Sequence, residues 1–450
     1  MLELKAKRVL VITHDKVGVS MAGPGIRYHY ISQVLSKDHK VTLGSFAESY
    51  LPEKGFPRKY EVLSMDLTAC SEELSRFDVV IAYWLSEQMM RLLRSKGIFV
   101  IIDMYCVAPV ENLVTFGLGP KPSLTEGEFH NSLDFHRNSL SFGDAFLYSN
   151  RRQLDFWMGF MFCMPNFSIN FFAKRNLFNR FIEAPMGIEK QDLAEHKPNS
   201  RSFLGLKEDE VAVIWNGGVW NHFDAKTVIE AMKVVYVKNK KVKLYFPGIE
   251  HPNPSVKPSD ELREALKLTD KLGLTDKNVF FKKGWVQYGE RLKYLSEADI
   301  AVYSHKGSIE TEFAHRTRFL DHILAAIPTV ATDGDFFAEK VRDKGLGIVV
   351  PISDPEAMAD AILELAKKSE ASKVRSNIEA MQKTMYWENT LEGLVELLSS
   401  DLKKLPSLEN ESLDGVYLDS GNRFGYLNEA KAFARLTGGV LKRHIKKLKP

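Results

Sequence analysis

The sequence predicts an α/β protein with two Rossmann-like, doubly wound domains that face each other across a cleft. First, short apolar, β-branched runs alternate with segments of helical period through most of the 450 residues, which is typical of βα units and parallel sheets. Second, a polar stretch after Ile188 divides this alternation into two series. Third, the length corresponds to two domains or more, since a domain typically takes about 100 to 200 residues.

The N-terminal domain is expected over residues 1–190, and it is the side on which an acceptor would bind. Seven strands are expected in it: Arg8–His14, Lys40–Phe46, Glu61–Asp66, Asp78–Trp84, Phe99–Tyr105, Asp144–Asn150 and Phe181–Gly187. Residues 191–210 are the expected linker.

The C-terminal domain is expected over residues 211–385. Its expected strands are Val211–Gly217, Lys243–Gly248, Asn278–Trp285, Asp299–His305, Pro328–Asp333 and Gly347–Val350. Residues 386–450 supply C-terminal helices and a basic tail. Ligands bind outside the carboxyl ends of parallel strands, so two such domains in tandem predict a deep site in the cleft between them.

Composition limits the class of protein. The 61 Lys and Arg residues nearly balance the 58 Asp and Glu residues, and a formal net charge of +3 does not indicate a nucleic-acid partner. The three cysteines, Cys70, Cys106 and Cys163, form neither a CxxC pair nor a zinc pattern. Neither a secretory signal nor a membrane span is recognisable, so a cytoplasmic location is expected.

The first βα turn contains Gly23-Pro24-Gly25, followed by Arg27. Glycine lets the backbone approach a ligand, and helix starts favour anions, so the turn is a candidate acceptor or phosphate loop. The spacing differs from GxGxxG, which gives little support to a dinucleotide cofactor. A tight turn that only starts a helix is the alternative.

Asp103 follows a predicted strand of the same domain. At that position a carboxylate can face the cleft and accept a proton or hold a sugar hydroxyl, while a loop-capping aspartate is the alternative. Glu111 is a weaker candidate, because a glutamate at a helix start needs no function to explain it.

The second domain opens with a strand that ends in Asn216-Gly217-Gly218. Such a turn can form a backbone nest for a pyrophosphate, and Trp220 after it can stack on a base or sugar, or simply pack on a helix. Asp224 is expected either as a helix N-cap or as a ligand contact.

Charged residues cluster on a later helix of the second domain. Arg318, Asp321 and His322 are three and four residues apart and share one face, with Arg316 just before them. Arginines can grip a diphosphate, and a carboxylate can accept both hydroxyls of a ribose. A solvated charged helix face is the alternative.

The layout resembles the GT-B glycosyltransferases, in particular the retaining group called family 4. That family carries a helix with two Glu separated by seven residues, then Ala-x-x-x-Gly-x-Pro-Val-Val. Aligned on Pro328, the second Glu falls on Asp321, and the first falls on Phe313, which leaves its role to Glu312 or Glu310. The resemblance implies that Asp321 binds the donor ribose and that Glu312 approaches the donor sugar.

The resemblance, which covers roughly residues 8–395, extends to a glycine loop. Gly334, Asp335 and Phe336 match the family's loop that meets the donor sugar and phosphate, and Glu339 matches the acidic residue after it. The Asp333-Gly334-Asp335 run also has the form of a metal-binding DxD, but a turn explains it and no metal is expected.

The sequence departs from the family at several functional positions. The family's diphosphate-binding Arg and Lys align with Gly218 and Phe223, so Arg316 and Arg318 are expected to supply the charge, with Lys226 behind them. The family's acceptor-side His is absent, and Asp103 stands at about that place.

The resemblance implies a glycosyltransferase that moves a sugar from a nucleotide-diphosphate sugar, a co-substrate rather than a cofactor, to a glycan or lipid-linked acceptor. We expect retention, no metal, and a role in cell-surface polysaccharide biosynthesis. The alternatives are a non-catalytic GT-B protein that binds glycans as a scaffold, and a GT-B-like nucleotide-sugar epimerase.

Two segments suggest contact with a membrane. The basic tail Lys442–Lys449 can hold an enzyme at the inner face of an anionic bilayer, although a solvated C-terminus is the alternative. The aromatic run Phe156–Phe162, together with Phe171, Phe172 and Phe178, forms either core packing, which we favour, or a membrane-facing patch.

Overall fold

The computed structural model describes residues 6–66, 70–83, 85–117, 124–164, 167, 177–190, 203–250 and 258–402. The N-terminal strands are β1 (Arg8–Ile12), β2 (Lys40–Ser45), β3 (Glu61–Ser64), β4 (Val79–Ala82), β5 (Phe99–Asp103), β6 (Ala145–Tyr148) and β7 (Phe181–Glu183). The helices of this domain are α1 (Gly23–Leu35), α2 (Cys70–Leu74), α3 (Glu87–Ser95), α4 (Ala108–Asn112), α5 (Glu126–Phe142) and α6 (Arg151–Phe162).

The second series forms its own sheet. Its strands are β8 (Val211–Ile214), β9 (Val242–Phe246), β10 (Val279–Phe281), β11 (Ile300–Tyr303), β12 (Thr329–Thr332) and β13 (Gly347–Val350). The helices that follow β8 are α7 (Ala225–Lys238), α8 (Asp260–Lys271), α9 (Arg291–Leu295), α10 (Ile309–Phe313), α11 (Arg318–Leu324), α12 (Phe336–Lys344), α13 (Pro355–Leu365), α14 (Lys368–Met385), α15 (Trp387–Thr390) and α16 (Glu392–Ser399).

Both sheets are parallel and doubly wound. Their strand orders are β3-β2-β1-β4-β5-β6-β7 and β10-β9-β8-β11-β12-β13, which confirms the predicted fold class. The central strand β1 is buried on both faces, with Val9, Leu10, Val11 and Ile12 all at 0% exposure. A strand that helices cover on both faces consists of consecutive apolar residues. These apolar runs are the pattern from which the strands were predicted.

Each of the thirteen expected strands is present, but twelve end earlier than expected, by one to four residues. The difference lies at the carboxyl ends, where ladder pairing stops and the chain turns into the loops of the cleft.

The end of the described chain returns to the N-terminal domain. Tyr386 forms a parallel bridge with Ile188, and Trp387 stacks on Tyr30 with ring centroids 5.1 Å apart. Gly187 permits this crossing, since a Cβ there would lie 2.8 Å from the backbone nitrogen of Trp387. The chain leaves the N-terminal domain after Ile188 and returns to it at Tyr386, so the two connections lie side by side; this pair of segments is called the hinge below.

The aromatic run on α6 divides between core and surface. Trp157 is fully buried, whereas Phe162 and Phe178 are 54% and 68% exposed. Phe171, Phe172, most of the linker, and the basic tail lie outside the described residues, so the proposed membrane contact stays a prediction. Among the described helices, none has the length and hydrophobicity that crossing a bilayer requires.

Candidate functional site in the interdomain cleft

A cleft with a volume of about 500 Å³ separates the two domains at the carboxyl ends of their strands. Of the residues expected at the site, it is lined by Gly23, Gly217, Gly218, Trp220, Arg316, Arg318 and Asp321. It therefore brings together candidates of the second domain from the turn after β8 and from the start of α11. The position agrees with the predicted switch-point site of tandem parallel sheets.

Arg318 lies beside the glycine turn that follows β8. Its Nη2 donates a hydrogen bond of 2.8 Å to the carbonyl of Gly218, and its guanidinium stacks 3.8 Å from the ring centroid of Phe223. Its Nη1 is buried and has no hydrogen-bond partner. Burial and the charge of Arg316 lower the pKa of Arg318 to about 9. The cleft wall therefore holds a cation whose positive charge is poorly compensated.

The turn itself depends on Gly217. Its φ of 82° is in the left-handed region that favours glycine, and this conformation brings the turn against the Arg318 guanidinium. The backbone of residues 217–218 and the arginine consequently form one continuous surface of the cleft.

The charge of Arg316 is compensated more fully than that of Arg318. It forms a bidentate ion pair with Glu310, with bonds of 2.9 and 2.7 Å. Both residues line the cleft and both are only 6% exposed. The Arg316 Nε lies 3.7 Å from Asp335 Oδ2, beyond direct hydrogen bonding. Glu310 thus neutralises much of the charge of Arg316, which makes Arg318 the stronger attractor for an anion.

Asp321 is held in one orientation by two donors. Arg291 Nε and Asn216 Nδ2 each donate to its carboxylate at 3.1 Å. Asn216 Nδ2 also donates to the carbonyl of Arg318, so Asn216 Oδ1 faces His322 Nε2, 2.6 Å away. This arrangement requires a proton on His322 Nε2. Burial lowers the pKa of His322 to about 3, which keeps the ring neutral.

Arg291 joins this group to the hinge. Besides Asp321 it donates to Glu189, which also accepts a hydrogen bond from Tyr288, and the Arg291 guanidinium lies 3.7 Å from the Tyr288 ring centroid. Glu189 immediately follows the crossing at Ile188. Sequence reasoning missed Arg291 and Asn216, because their partners come from distant segments.

Glu312 does not lie on the cleft wall, which corrects the expectation that it orients the donor sugar. Its side chain is 57% exposed and pairs with Arg152 at 3.0 Å. On the short helix α10, Glu310 and Glu312 point to different sides, because residues two apart on a helix do not share a face. Of the two alternatives, Glu310 is the one that faces the cleft.

The position of the glycine loop also differs from the expectation that it meets the donor sugar and phosphate. Gly334, Asp335 and Phe336 are not among the described residues that line the cleft. Asp335 is fully buried and caps α12 by accepting from the Ala338 nitrogen at 2.7 Å. Gly334 offers its carbonyl to Arg152 at 2.8 Å, so a residue of the N-terminal domain already occupies this face of the loop.

The positions of Asp103 and Arg27 also differ from the expectation that they contact an acceptor or a phosphate. Both side chains have 0% exposure, and they make two hydrogen bonds of 2.6 Å to each other. Neither lines the cleft, so Asp103 is not placed to contact an acceptor and Arg27 is not placed to meet a phosphate. The pair compensates two charges that the strand end and the helix bury together.

The remaining candidates have mostly structural positions. Gly25 is required by close packing, since a Cβ there would lie 2.0 Å from the Lys16 carbonyl oxygen. Lys226 lies in the first turn of α7 and is not among the described residues that line the cleft. Asp224 is the N-cap of α7, accepting from the Thr227 nitrogen at 3.1 Å, as the cap interpretation predicted.

The DxD carboxylates have protein partners. Asp333 pairs with Arg342 at 2.5 Å, and Asp335 is the buried cap described above. Within the described part of the chain, no group of three or more His, Cys, Asp or Glu side chains is arranged to hold a metal ion.

Residues 210–368 match the family described as Glycosyl transferases group 1. The chain has the GT-B fold, with a glycosyltransferase group 1 domain over these residues. Its fold is similar to that of WaaG, a glycosyltransferase involved in lipopolysaccharide biosynthesis, with 17% identity, 87% of this chain and 100% of WaaG covered, and a TM-score of 0.62.

Other solved structures agree with this fold. HepE from Anabaena, in complex with UDP-glucose, is 13% identical over 88% of this chain and 100% of its own, with a TM-score of 0.60. Sucrose-phosphate synthase from Thermosynechococcus elongatus is 16% identical over 87% and 98%, with a TM-score of 0.58. No curated protein matches this sequence significantly.

Proposed function

We propose that this glycosyltransferase takes its sugar from a nucleoside diphosphate sugar and that Arg318 holds the diphosphate. The main support is the Nη1 of Arg318, which is buried and has no hydrogen-bond partner. Arg318 lines the cleft beside the glycine turn, where a ligand can bind. A diphosphate oxygen would supply both the missing acceptor and the missing negative charge. The UDP-glucose complex of HepE supports the donor class.

Charge on the leaving group is the main demand of the chemistry. When the bond between the anomeric carbon and the diphosphate breaks, the electron pair stays on the diphosphate oxygen. Arg318, with Arg316 beside it, is positioned to stabilise that negative charge without moving. Asp321 would accept ribose hydroxyls: each of its oxygens already accepts one hydrogen bond and has a lone pair left for a second.

The finer parts of the proposal are retention, transfer without a catalytic metal, a glycan or lipid-linked acceptor, and a role in cell-surface polysaccharide biosynthesis. The resemblance to family 4 supports retention, and the involvement of WaaG in lipopolysaccharide biosynthesis supports the proposed acceptor class and the role in polysaccharide biosynthesis. The charge of the Lys442–Lys449 tail supports work at the cytoplasmic face of a membrane, which cosedimentation of the full chain with anionic vesicles would test.

A thermal-shift screen with UDP, GDP, ADP, CMP and dTDP, each with Mg²⁺ and with EDTA, tests the donor site. Ligand at about 100 times its Kd adds about 2.7 kcal/mol of stability, so one diphosphate should raise the melting temperature equally in both buffers. Dependence on Mg²⁺ would contradict the metal-independent proposal, and stabilisation by none would favour the glycan-binding scaffold.

The Arg318→Ala variant tests whether Arg318 binds the diphosphate. Loss of a charged hydrogen bond should weaken binding of the stabilising diphosphate by about 1.5–3 kcal/mol, measured by calorimetry. Arg263→Ala removes a half-exposed arginine of α8 and is the control, which should bind like wild type. Equal affinity in both variants would remove Arg318 from the site.

A further inference from the structure

The two walls of the cleft differ in charge. The wall of the C-terminal domain carries Arg291, Arg316 and Arg318. Among the described residues of the N-terminal domain that line the cleft, there is no Lys, Arg or His, and the only charged side chains are Glu111 and Glu189. The rest of that wall is largely apolar, with Tyr105, Val107 and Val110 around Glu111.

The cleft carboxylates are engaged in different ways. Glu310 pairs with Arg316, Asp321 is held by Arg291 and Asn216, and Glu189 accepts from Arg291 and Tyr288. These three carboxylates are therefore committed to positioning arginines of the C-terminal domain. In the part of the chain that the structure describes, the Glu111 carboxylate makes no hydrogen bond or ion pair, and it lines the cleft.

Glu111 also faces the donor half of the cleft. Its helix α4 lies against α10, which carries Glu310. The pKa of Glu111 is raised, first by loss of water around the carboxyl group and second by the Glu310 carboxylate, while Arg316 opposes the shift. The carboxyl group thus lies within electrostatic reach of the pair that flanks the proposed diphosphate site.

From this arrangement we infer that Glu111 is an acceptor-binding residue and that the acceptor is an uncharged hydroxyl compound with an apolar face. The inference rests on the proposed function and adds the acceptor class to it. The Glu111 carboxylate accepts hydrogen bonds from acceptor hydroxyls, and the apolar side chains around it cover the C–H face of a sugar or its aglycone. An anionic acceptor meets a like charge with no described cation on the same wall to offset it.

In the proposed transfer, an acceptor hydroxyl oxygen forms a bond to the anomeric carbon as the bond from that carbon to the diphosphate oxygen breaks. The electron pair leaves with the diphosphate, and the hydroxyl proton goes to the departing phosphate oxygen. Glu111 orients the acceptor through its other hydroxyls and takes no proton.

Matched acceptors that differ by one carboxylate test the inference. UDP-, GDP- and ADP-glucose serve as donors, and release of the nucleoside diphosphate is measured with p-nitrophenyl glucoside against p-nitrophenyl glucuronide, and with the galactoside against the galacturonide. Wild type should prefer the neutral member by at least about tenfold in kcat/KM, which corresponds to about 1.4 kcal/mol of discrimination. Glu111→Gln should reduce that ratio below about threefold while diphosphate affinity stays at the wild-type value.

Glu126→Gln is the control, because the Glu126 side chain is 92% exposed on α5 and should leave the ratio unchanged. Equal use of both members by wild type, an unchanged ratio in Glu111→Gln, or transfer to neither member by an enzyme that binds the diphosphate would overturn the inference. Failure of wild type to bind any nucleoside diphosphate would instead count against the proposed function.

Discussion

Asp103 and Arg318 are both charged residues at the carboxyl edge of a sheet, yet their surroundings are opposite. Asp103 is enclosed with Arg27 in a complete bidentate pair, so its charge is satisfied within the protein. Arg318 has a backbone carbonyl and aromatic rings for neighbours and retains an unsatisfied Nη1. A residue with a complete internal partner stabilises the fold, whereas an incompletely paired one at a cleft is available for a ligand.

We therefore predict that Asp103→Asn acts on stability. Removing one charge leaves Arg27 buried without compensation, which should lower the free energy of unfolding by about 3–5 kcal/mol in urea denaturation. The double variant Arg27→Met with Asp103→Leu removes both charges and should recover most of that loss. A stable Asp103→Asn protein that has lost only transfer activity would instead assign Asp103 to catalysis.

These residues also show what the sequence could predict. The caps Asp224 and Asp335 bond the nitrogens of residues three positions later, so local spacing contains that information. The partner of Asp103 is 76 residues away and the partner of Asp321 is 30 residues away. Helical and strand periods place a side chain on a face, but they do not identify the residue packed against it, and so Asp103 and Glu312 were wrongly expected at the cleft.

At the scale of elements, α6 of the N-terminal domain contacts the C-terminal domain through Arg152, through Gln153, which donates to the Phe313 carbonyl at 3.1 Å, and through the Phe156 ring against Phe313. Arg152 donates to the Glu312 carbonyl at 3.1 Å and to its carboxylate at 3.0 Å, to the Gly334 carbonyl at 2.8 Å and to Glu339 at 2.6 Å. These acceptors belong to α10, the glycine loop and α12. One arginine thus joins three C-terminal elements to one N-terminal helix, in addition to the chain crossing at Ile188.

We predict that Arg152→Ala opens the cleft. Each lost hydrogen bond contributes about 0.5–1.5 kcal/mol, so the closed arrangement should lose several of these contributions together. Small-angle scattering should show a larger radius of gyration for this variant. Arg151→Ala is the matched control, because Arg151 is 77% exposed and pairs only with Asp155 on its own helix. Identical scattering from the two variants would show that Arg152 does not hold the domains together.

At the scale of the whole molecule, the fold buries histidines in the neutral state in both domains. Burial lowers the pKa of His29 and His136 to about 4, and that of His305, His315 and His322 to about 3. The unfolded chain binds these protons near pH 6.5, whereas the folded protein does not. The resulting stability is present in full above pH 6.5 and is lost as the pH falls from there toward the folded values.

We predict from this that the melting temperature falls steeply between pH 7.5 and 5.5, since each such histidine costs about 1 kcal/mol over that interval. His322→Gln should reduce the pH dependence, because glutamine can replace the Nε2 donor to Asn216 but has no proton to bind in this range. His130→Gln is the control, as its side chain is 66% exposed on α5. The same fall in melting temperature for wild type and His322→Gln would mean that His322 can be protonated without unfolding, and the neutral ring that orients Asn216 toward Asp321 would then not be needed to hold the site.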